Sequence, residues 1–306
     1  MEPETKSNAR PEAWIVAAWL IVAAELGLAV FLGLKRPGVA PVKAYLYGPW
    51  LLALAAFLVG LFGVGRSIRR PASSGTQRLI AFGLLCFVVG TASYGLPFPA
   101  ARSTRPTLAR IRVPLEGEWT VAWGGVDDAS AIWRTRPDRC FAYVLVLERE
   151  GSTRAQPADP ASAHARGAPV VAPASGKVVR VVNDVPDDGA LHANDLGNHV
   201  VIELAADEFL FASGLERGSI PVAEGAPIAA GDALGRIGFS AFSPLCPEPH
   251  LGLHVQDTPE PFWGQGMPFH FWESAQNGQK LPRATPVGRG WFPGRALSGD
   301  RVRHEP

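Results

Sequence analysis

Three apolar stretches in the first hundred residues constrain the fold of this chain more than any other feature. They cover Ala13–Leu34, Ala44–Gly65 and Leu79–Phe98. Each is about 20 residues long, the length at which an α-helix crosses a hydrocarbon core of about 30 Å. We therefore predict a membrane region over residues 1–98, with spanning helices near 13–34, 44–65 and 79–98, and a lipid bilayer as a partner of the chain.

The first stretch resembles a cleaved signal peptide in its position. However, two further spans follow it and no small-residue cleavage site does, which favours a permanent anchor. Basic residues predict the orientation, because cytoplasmic loops carry more Lys and Arg. On one side are Lys6, Arg10, Arg66, Arg69, Arg70 and Arg78, and on the other are Lys35, Arg36 and Lys43. This bias predicts a multi-pass inner-membrane protein whose C-terminal domain is extracytoplasmic (periplasmic), although the arginines after the third span weaken it.

Glu25 is an acidic residue inside the first predicted span. Ionisable residues are costly at this depth and often mark functional sites. Either Glu25 belongs to such a site, or it faces another helix or a water pocket, and we favour the second interpretation.

The composition changes after the third span. Residues 99–114 are polar and contain proline, which is typical of a linker. Short apolar runs then alternate with clusters of Gly, Pro and Asp, as in GEWTVAWGG, GKVVRVVND, NHVVIEL and LGLHVQD. This pattern predicts a mainly β domain over 115–280. The remaining tail, 281–306, is rich in Pro, Gly and Arg and is predicted to be irregular.

The bulk composition excludes some functions. The formal net charge is +1 and only 19% of the residues are charged. A nucleic-acid-binding protein would carry a basic excess, so we expect no nucleic-acid partner. Three cysteines, Cys86, Cys140 and Cys246, are too few for a disulfide framework.

Four segments of the β domain together resemble a known family. In chain order they read PVVAPASGKVV, GNHVVIE, GSIPVAEGAPIAAGDALGRIG and PHLGLHVQD. Their order and spacing are similar to those of the lysostaphin-like, or LytM-type, zinc endopeptidases that cut peptidoglycan cross-bridges. The resemblance covers roughly residues 116–274. It implies a compact antiparallel β fold with an open groove across one sheet.

The resemblance also implies a zinc ion held by a His, an Asp and the second His of a His-Leu-His element. Three protein ligands leave one position for a reactive water. Here that element reads His250-Leu251-Gly252, and Val144 stands where the family has the Asp. The first His falls near Trp133. None of these replacements can bind zinc.

Two further histidines assist the zinc-bound water in this family. One is the first His of the His-Leu-His element, which is retained as His250. The other lies on a neighbouring strand and falls at Ser213 or Gly214. His250 is thus the only retained catalytic position. Trp133, Val144, Ser213, Gly214, Gly252 and His254 are the expected groove-lining residues.

A substitute metal site is a further alternative. Cys140 lies four residues before Val144, and Cys246 lies four before His250. If both face the groove, they and His250 or His254 form a thiolate-rich site. Outside the cytoplasm the same cysteines would more readily form a disulfide. Free thiols, a disulfide and a metal site all stay open at this point.

The sequence leaves two main functions. The first is a catalytically degenerate binding or regulatory module of the cell envelope, with no cofactor. It would bind peptidoglycan, an envelope protein or a partner hydrolase. The second is an active zinc metalloendopeptidase that cleaves peptidoglycan cross-link peptides with an unconventional ligand set. A carrier-type domain is a weaker third idea, because Lys177 lies in a strand-like run and not in an attachment turn.

Overall fold

A computed structural model divides the chain into two compact units, one helical and one built of β-strands. The residues that the structure describes are 12–69, 75–93, 97–101, 106–126, 135–192, 194–296 and 299–305.

The helical unit contains α1, Ala13–Gly33, α2, Val39–Arg69, and α3, Gly75–Ser93. Each helix is long and apolar enough to cross a membrane, so the predicted apolar helices before the β domain are confirmed. Both α2 and α3 begin earlier than predicted, and α2 continues to its basic last turn, where Arg69 suits the helix dipole. Residues 97–98 are not helical, because Pro97 cannot continue a helix.

Polar side chains connect the helices of the helical unit. Glu12 accepts a hydrogen bond from Arg78 Nη2 at 2.7 Å, which ties the start of α1 to α3. Deeper in the helices, Glu25 Oε1 accepts a hydrogen bond from Thr91 Oγ1 at 3.1 Å. Glu25 thus faces another helix, which agrees with the favoured interpretation.

The β unit is built from strands joined by turns and loops. Their bounds are β1 Trp119–Gly124, β2 Tyr143–Val146, β3 Pro169–Val171, β4 Gly176–Val182, β5 Asn198–Ala205, β6 Glu208–Leu215, β7 Pro227–Ile228, β8 Ala233–Arg236, β9 Leu251–Gln256, β10 Gly266–Met267, β11 Phe271–Gln276, β12 Gln279–Ala284, β13 Gly288–Arg289, β14 Trp291–Phe292, β15 Arg295–Ala296 and β16 Arg301–His304.

One large sheet dominates the β unit. Its strand order is β12-β11-β16-β1-β2-β9-β6-β5-β4-β7, and neighbours in this order are antiparallel. Alternate residues point to opposite faces. One face forms the core with residues such as Tyr143, Leu253 and Val200, and the paired β3 and β8 contribute Val170 and Leu234 to it. The other face carries the candidate site.

The predicted linker, 99–114, differs from the structure in its second half. Ile111 and Val113 are fully buried in the core of the β unit. The backbone of Arg112 donates a hydrogen bond to the carbonyl of Pro173 at 2.8 Å, and Ile111 pairs with Phe271. Apolar side chains spaced two apart draw this segment into the domain.

The predicted irregular tail, 281–306, also differs from the structure, because it contributes strands to the sheet. β16 lies between β11 and β1, in the interior of the strand order. Val302 of this strand pairs with Trp119 and is fully buried. Several Pro and Gly residues, Pro286, Gly290, Pro293 and Gly294, separate the short strands, and single side chains such as Val302 supply the burial.

Because β16 lies inside the sheet, substitutions at its adjacent residues Val302 and Arg303 should differ in their effect on stability. We expect Val302→Asn to lower the unfolding free energy by about 3 kcal/mol, because it buries an unpaired amide and removes core packing. The matched change Arg303→Asn, at an exposed position, should stay within about 0.5 kcal/mol. Thermal denaturation of both variants measures this. Equal effects would mean that the tail does not pack as described.

Candidate functional site

The candidate site lies on four neighbouring strands, β2, β9, β6 and β5. Their register places Val144 opposite Gly252, Gly252 opposite Ser213, and Ser213 opposite His199. Residues that face each other in antiparallel strands share one face of the sheet. These four residues therefore form a row across the face that is turned away from the core.

A pocket opens on this row. Its lining includes the strand residues Val144, Ser213, Gly252 and His254, together with His250 just before β9, and the loop residues Arg139 and Asp195. The structure thus brings together most of the expected groove-lining residues and His250. Trp133 lies outside the described residues.

Val144 is enclosed by apolar side chains. It packs in a cluster with Ala122, Cys246 and Ala296, against Trp123 and Trp291. Ala296 and Trp291 belong to the hairpin formed by β14 and β15. Val144, which the resemblance aligns with the carboxylate of the family, is therefore a hydrocarbon contact beneath the C-terminal segment.

Gly252 leaves a space that its neighbour uses. A Cβ atom at this position would lie 2.5 Å from Ser213 Oγ. The same hydroxyl donates a hydrogen bond to the Gly252 carbonyl oxygen at 3.3 Å. The Ser213 side chain therefore occupies the space that the Cβ atom of any other residue at position 252 would need.

Gly214 has a backbone role. Its φ is +83°, and a Cβ atom here would clash with the His250 carbonyl oxygen. Only glycine combines this conformation with such a close approach. Gly214 is not among the residues that line the pocket.

His250 has a defined tautomer. Its Nδ1 lies 2.6 Å from the Glu248 carbonyl oxygen. Because a carbonyl can only accept, Nδ1 carries the proton and Nε2 keeps its lone pair. Burial lowers the pKa of His250, so the ring is neutral at pH 7.

His254 and His199 are buried imidazoles on either side of Phe211. The ring of His254 stacks on Phe211 with centroids 4.5 Å apart, and His199 lies 6.3 Å from the same ring. The pKa of His254 is lowered well below 6.5 by burial, and then by the positive charge of Arg139. Neither Nε2 atom has a hydrogen-bond partner among the described residues. Both side chains are neutral at pH 7.

The two candidate cysteines are free and lie in separate surroundings. Cys140 Sγ contacts the carbonyl oxygens of Pro137 and Gly266. Burial raises its pKa to about 12, and burial also raises the pKa of Cys246. Both thiols are therefore protonated at neutral pH when no metal is bound, and because the thiolate is the nucleophilic form, neither is suited to act as a nucleophile.

Sequence reasoning missed the charged residues around the pocket. Arg139 is bonded to Asp195, a residue of the β4–β5 loop. The carboxylate of Glu248, fully buried, accepts hydrogen bonds from Arg154 Nε at 2.6 Å and Trp291 Nε1 at 2.9 Å. A carboxylate flanked by prolines in CPEPH was a weak signal for Glu248. No local sequence pattern indicated the ion pair of Arg139 and Asp195.

The residues of this site do not fit the zinc ion that the resemblance implies. Val144 and Gly252 offer no ligand atoms, and the space beside Gly252 holds the Ser213 hydroxyl. In the part of the chain that the structure describes, no cluster of three His, Cys, Asp or Glu side chains could hold a metal. The family position near Trp133 lies outside those residues.

The three buried histidines predict a pH dependence of stability. Their pKa values in the folded state lie below that of the unfolded chain, about 6.5. The unfolded state therefore takes up protons first as the pH falls. Stability should be constant above pH 6.5 and decrease below it, by up to about 1.4 kcal/mol per pH unit for each histidine.

His254→Phe should reduce this slope, because it keeps the ring stacked on Phe211 and removes one titrating group. Ser213→Ala, which removes a neighbouring hydroxyl only, should leave the slope unchanged. Melting curves between pH 7.5 and about pH 5 measure both variants. The same slope in wild type and His254→Phe would contradict the assignment.

The apolar enclosure of Val144 gives a second prediction. Val144→Asp should lower the unfolding free energy by about 3 to 5 kcal/mol at pH 7, because it buries an uncompensated charge. Val144→Thr, of similar volume, should cost about 1 to 2 kcal/mol. Chemical denaturation measures both. An Asp variant as stable as the Thr variant would show that position 144 is open to water or to a cation.

Comparisons of the sequence with known proteins found no match, whereas a comparison of the structure found similar solved proteins. No protein-family model matches the chain, and no curated protein matches it significantly. Among solved structures it is similar to the catalytic domain of the prophage-encoded M23 protein EnpA from Enterococcus faecalis, with 19% identity, 42% of this chain and 73% of that chain covered, and a TM-score of 0.29.

Two further solved structures are similar. One is the catalytic domain of lysostaphin from Staphylococcus simulans, with 17% identity, 41% of this chain and 73% of that chain covered, and a TM-score of 0.26. The other is a chain from a SpoIIIAH–SpoIIQ complex, with 16% identity, 52% of this chain and 96% of that chain covered, and a TM-score of 0.34. The predicted fold class, an antiparallel β domain behind three apolar helices, is confirmed by the strands and helices of the structure itself.

Proposed function

We propose that this protein is a membrane-anchored module of the cell envelope whose β domain binds a partner and does not cleave peptide bonds. The observation that carries the proposal is the row of Val144, Gly252 and Ser213. At the positions where the family has a ligand carboxylate, a ligand imidazole and an assisting imidazole, this chain has a buried hydrocarbon, no side chain and a hydroxyl. A zinc-bound nucleophile needs a set of protein ligands that this row does not provide.

The pocket keeps features that suit binding. His250 and His254 are neutral, and two of the lining residues, Arg139 and Asp195, carry opposite charges. A concave site with a few convergent polar groups in mostly apolar walls is typical of ligand recognition. We place the domain on the extracytoplasmic side of the inner membrane, where peptidoglycan, an envelope protein or a partner hydrolase is available to it.

Metal analysis combined with an activity assay tests this proposal. The full chain is purified in detergent, equilibrated with zinc and dialysed, and its zinc content is measured. We expect far less than one zinc per chain, and no soluble peptides released from peptidoglycan sacculi. Lysostaphin, on sacculi that it digests, is the positive control for the assay.

His250→Ala is the matched variant, because His250 is the only retained catalytic position of the family. In a module that does not cleave, this change leaves the background release of peptides unaltered. One zinc per chain, with a release of peptides that His250→Ala abolishes, would instead establish the alternative function, an active zinc metalloendopeptidase.

A further inference from the structure

Two loops meet across the face of the sheet that carries the pocket. Arg139 comes from the segment before β2, and Asp195 from the segment before β5. β9 and β6 lie between these strands, so β2 and β5 are about 14 Å apart. Both side chains line the pocket. Their ion pair therefore passes over the floor formed by β9 and β6, and we call it the strap.

The strap has the geometry of a carboxylate receptor. Nη2 of Arg139 lies 3.0 Å from Oδ1 and 2.8 Å from Oδ2 of Asp195. A second guanidinium, that of Arg136, donates from Nη2 to Oδ2 at 2.9 Å. Two arginines on one carboxylate form a strong, charge-assisted arrangement.

The arginine side of the strap is held in place independently of Asp195. Nε of Arg139 donates to Asp138 Oδ2 at 3.1 Å, and the Arg139 guanidinium lies 5.5 Å from the Phe262 ring centroid. Both Asp138 and Arg139 are buried. Because these contacts do not involve Asp195, the guanidinium is preorganised for any carboxylate that reaches it.

Asp195 belongs to the longer polar loop between β4 and β5. Its backbone carbonyl accepts a hydrogen bond from the Phe242 amide at 3.1 Å, so a third loop is joined at the same point. Beside the strap in the pocket lies His254, only 2% exposed, whose Nε2 has no partner among the described residues. A buried polar atom of this kind is usually satisfied, and a ligand in the pocket could satisfy it.

We propose that Arg136 and Arg139 form a carboxylate-binding site at the pocket, which Asp195 occupies in the structure, and that a ligand carrying a carboxylate displaces Asp195 and gains access to the floor. The inference rests on the proposed binding function and names the chemical class of its ligand. Asp195 then acts as an internal substitute for that ligand. The displacement exchanges one ion pair for another, and no covalent bond changes.

Chemical rescue tests the receptor. In the full chain in detergent, Asp195→Ala removes the carboxylate and should lower the melting temperature by about 5 °C or more. Sodium formate should restore it saturably, and further than sodium chloride at the same ionic strength. Asp188→Ala is the matched control from the same loop, because Asp188 is exposed and its side chain bonds to Ala190 and His192 of that loop.

Two results would overturn the receptor. One is a formate effect no larger than that of chloride. The other is an equal formate effect in the double variant Arg139→Met, Asp195→Ala, which lacks the main guanidinium. If Asp195→Ala does not fold, the isosteric Asp195→Asn serves in the measurement below, where the reporter is a thiol on the floor.

Access to the floor is measured with Ser213→Cys in a Cys86→Ala background. Cys140 and Cys246 are buried and should react slowly. A methanethiosulfonate reagent should label the thiol introduced by Ser213→Cys at least tenfold faster when Asp195→Asn is added. Excess N-acetylglycine should also accelerate labelling of the chain that retains Asp195, whereas N-acetylglycinamide, which lacks the negative charge, should not.

Equal labelling rates with the acid and the amide would overturn the displacement step. These measurements need neither zinc nor hydrolysis. Their failure in a zinc-free chain would therefore remove only the carboxylate site, whereas zinc-dependent cleavage would remove the proposed function whatever the labelling rates are.

Discussion

The hydrogen-bonded register of β2, β9, β6 and β5 is the constraint on which the site depends. A slip of one residue between two of these strands would move every side chain of the shifted strand to the opposite face of the sheet. The core face, with Tyr143, Leu253 and Ala212, allows no such slip, because it would bury the polar residues. Val144 and Gly252 therefore face each other as a consequence of the packing beneath them.

Different interactions occupy the two ends of the groove. At one end, apolar side chains from the C-terminal hairpin enclose Val144. At the other, Arg139 and Asp195 form an ion pair and line the same pocket as the neutral ring of His254. A bound cation could have linked the loops around this groove. Here the guanidinium of Arg139 supplies a fixed positive charge at the pocket. Van der Waals contacts with Val144 hold the C-terminal hairpin at the other end.

Sequence reasoning reached those parts of the fold that local pattern determines. The length of the apolar stretches predicted three helices, and Gly- and Pro-punctuated runs predicted the strands. Val144, Gly252 and Ser213 came from the ordered family motifs, since no local property of a valine or a glycine marks an altered site. The structure brings these three residues into one row.

The remaining contacts are long-range and leave no local trace. Arg139 and Asp195 are 56 residues apart in the chain, and each lies in a segment that reads as an ordinary polar loop. The tail strands are too short for periodicity to reveal, because a four-residue strand such as β16 contains one fully buried side chain, Val302. Both depend on which elements meet in three dimensions, which a single sequence does not state.

The interior position of β16 has a consequence for biogenesis. β1 is among the first strands of the domain to be synthesised, yet part of its hydrogen-bonding edge is completed only by residues 301–304. That edge stays unpaired until almost the whole domain has been synthesised. Unpaired strand edges readily join other chains. The nascent domain therefore has an interval in which this edge competes between pairing with β16 and pairing with another chain.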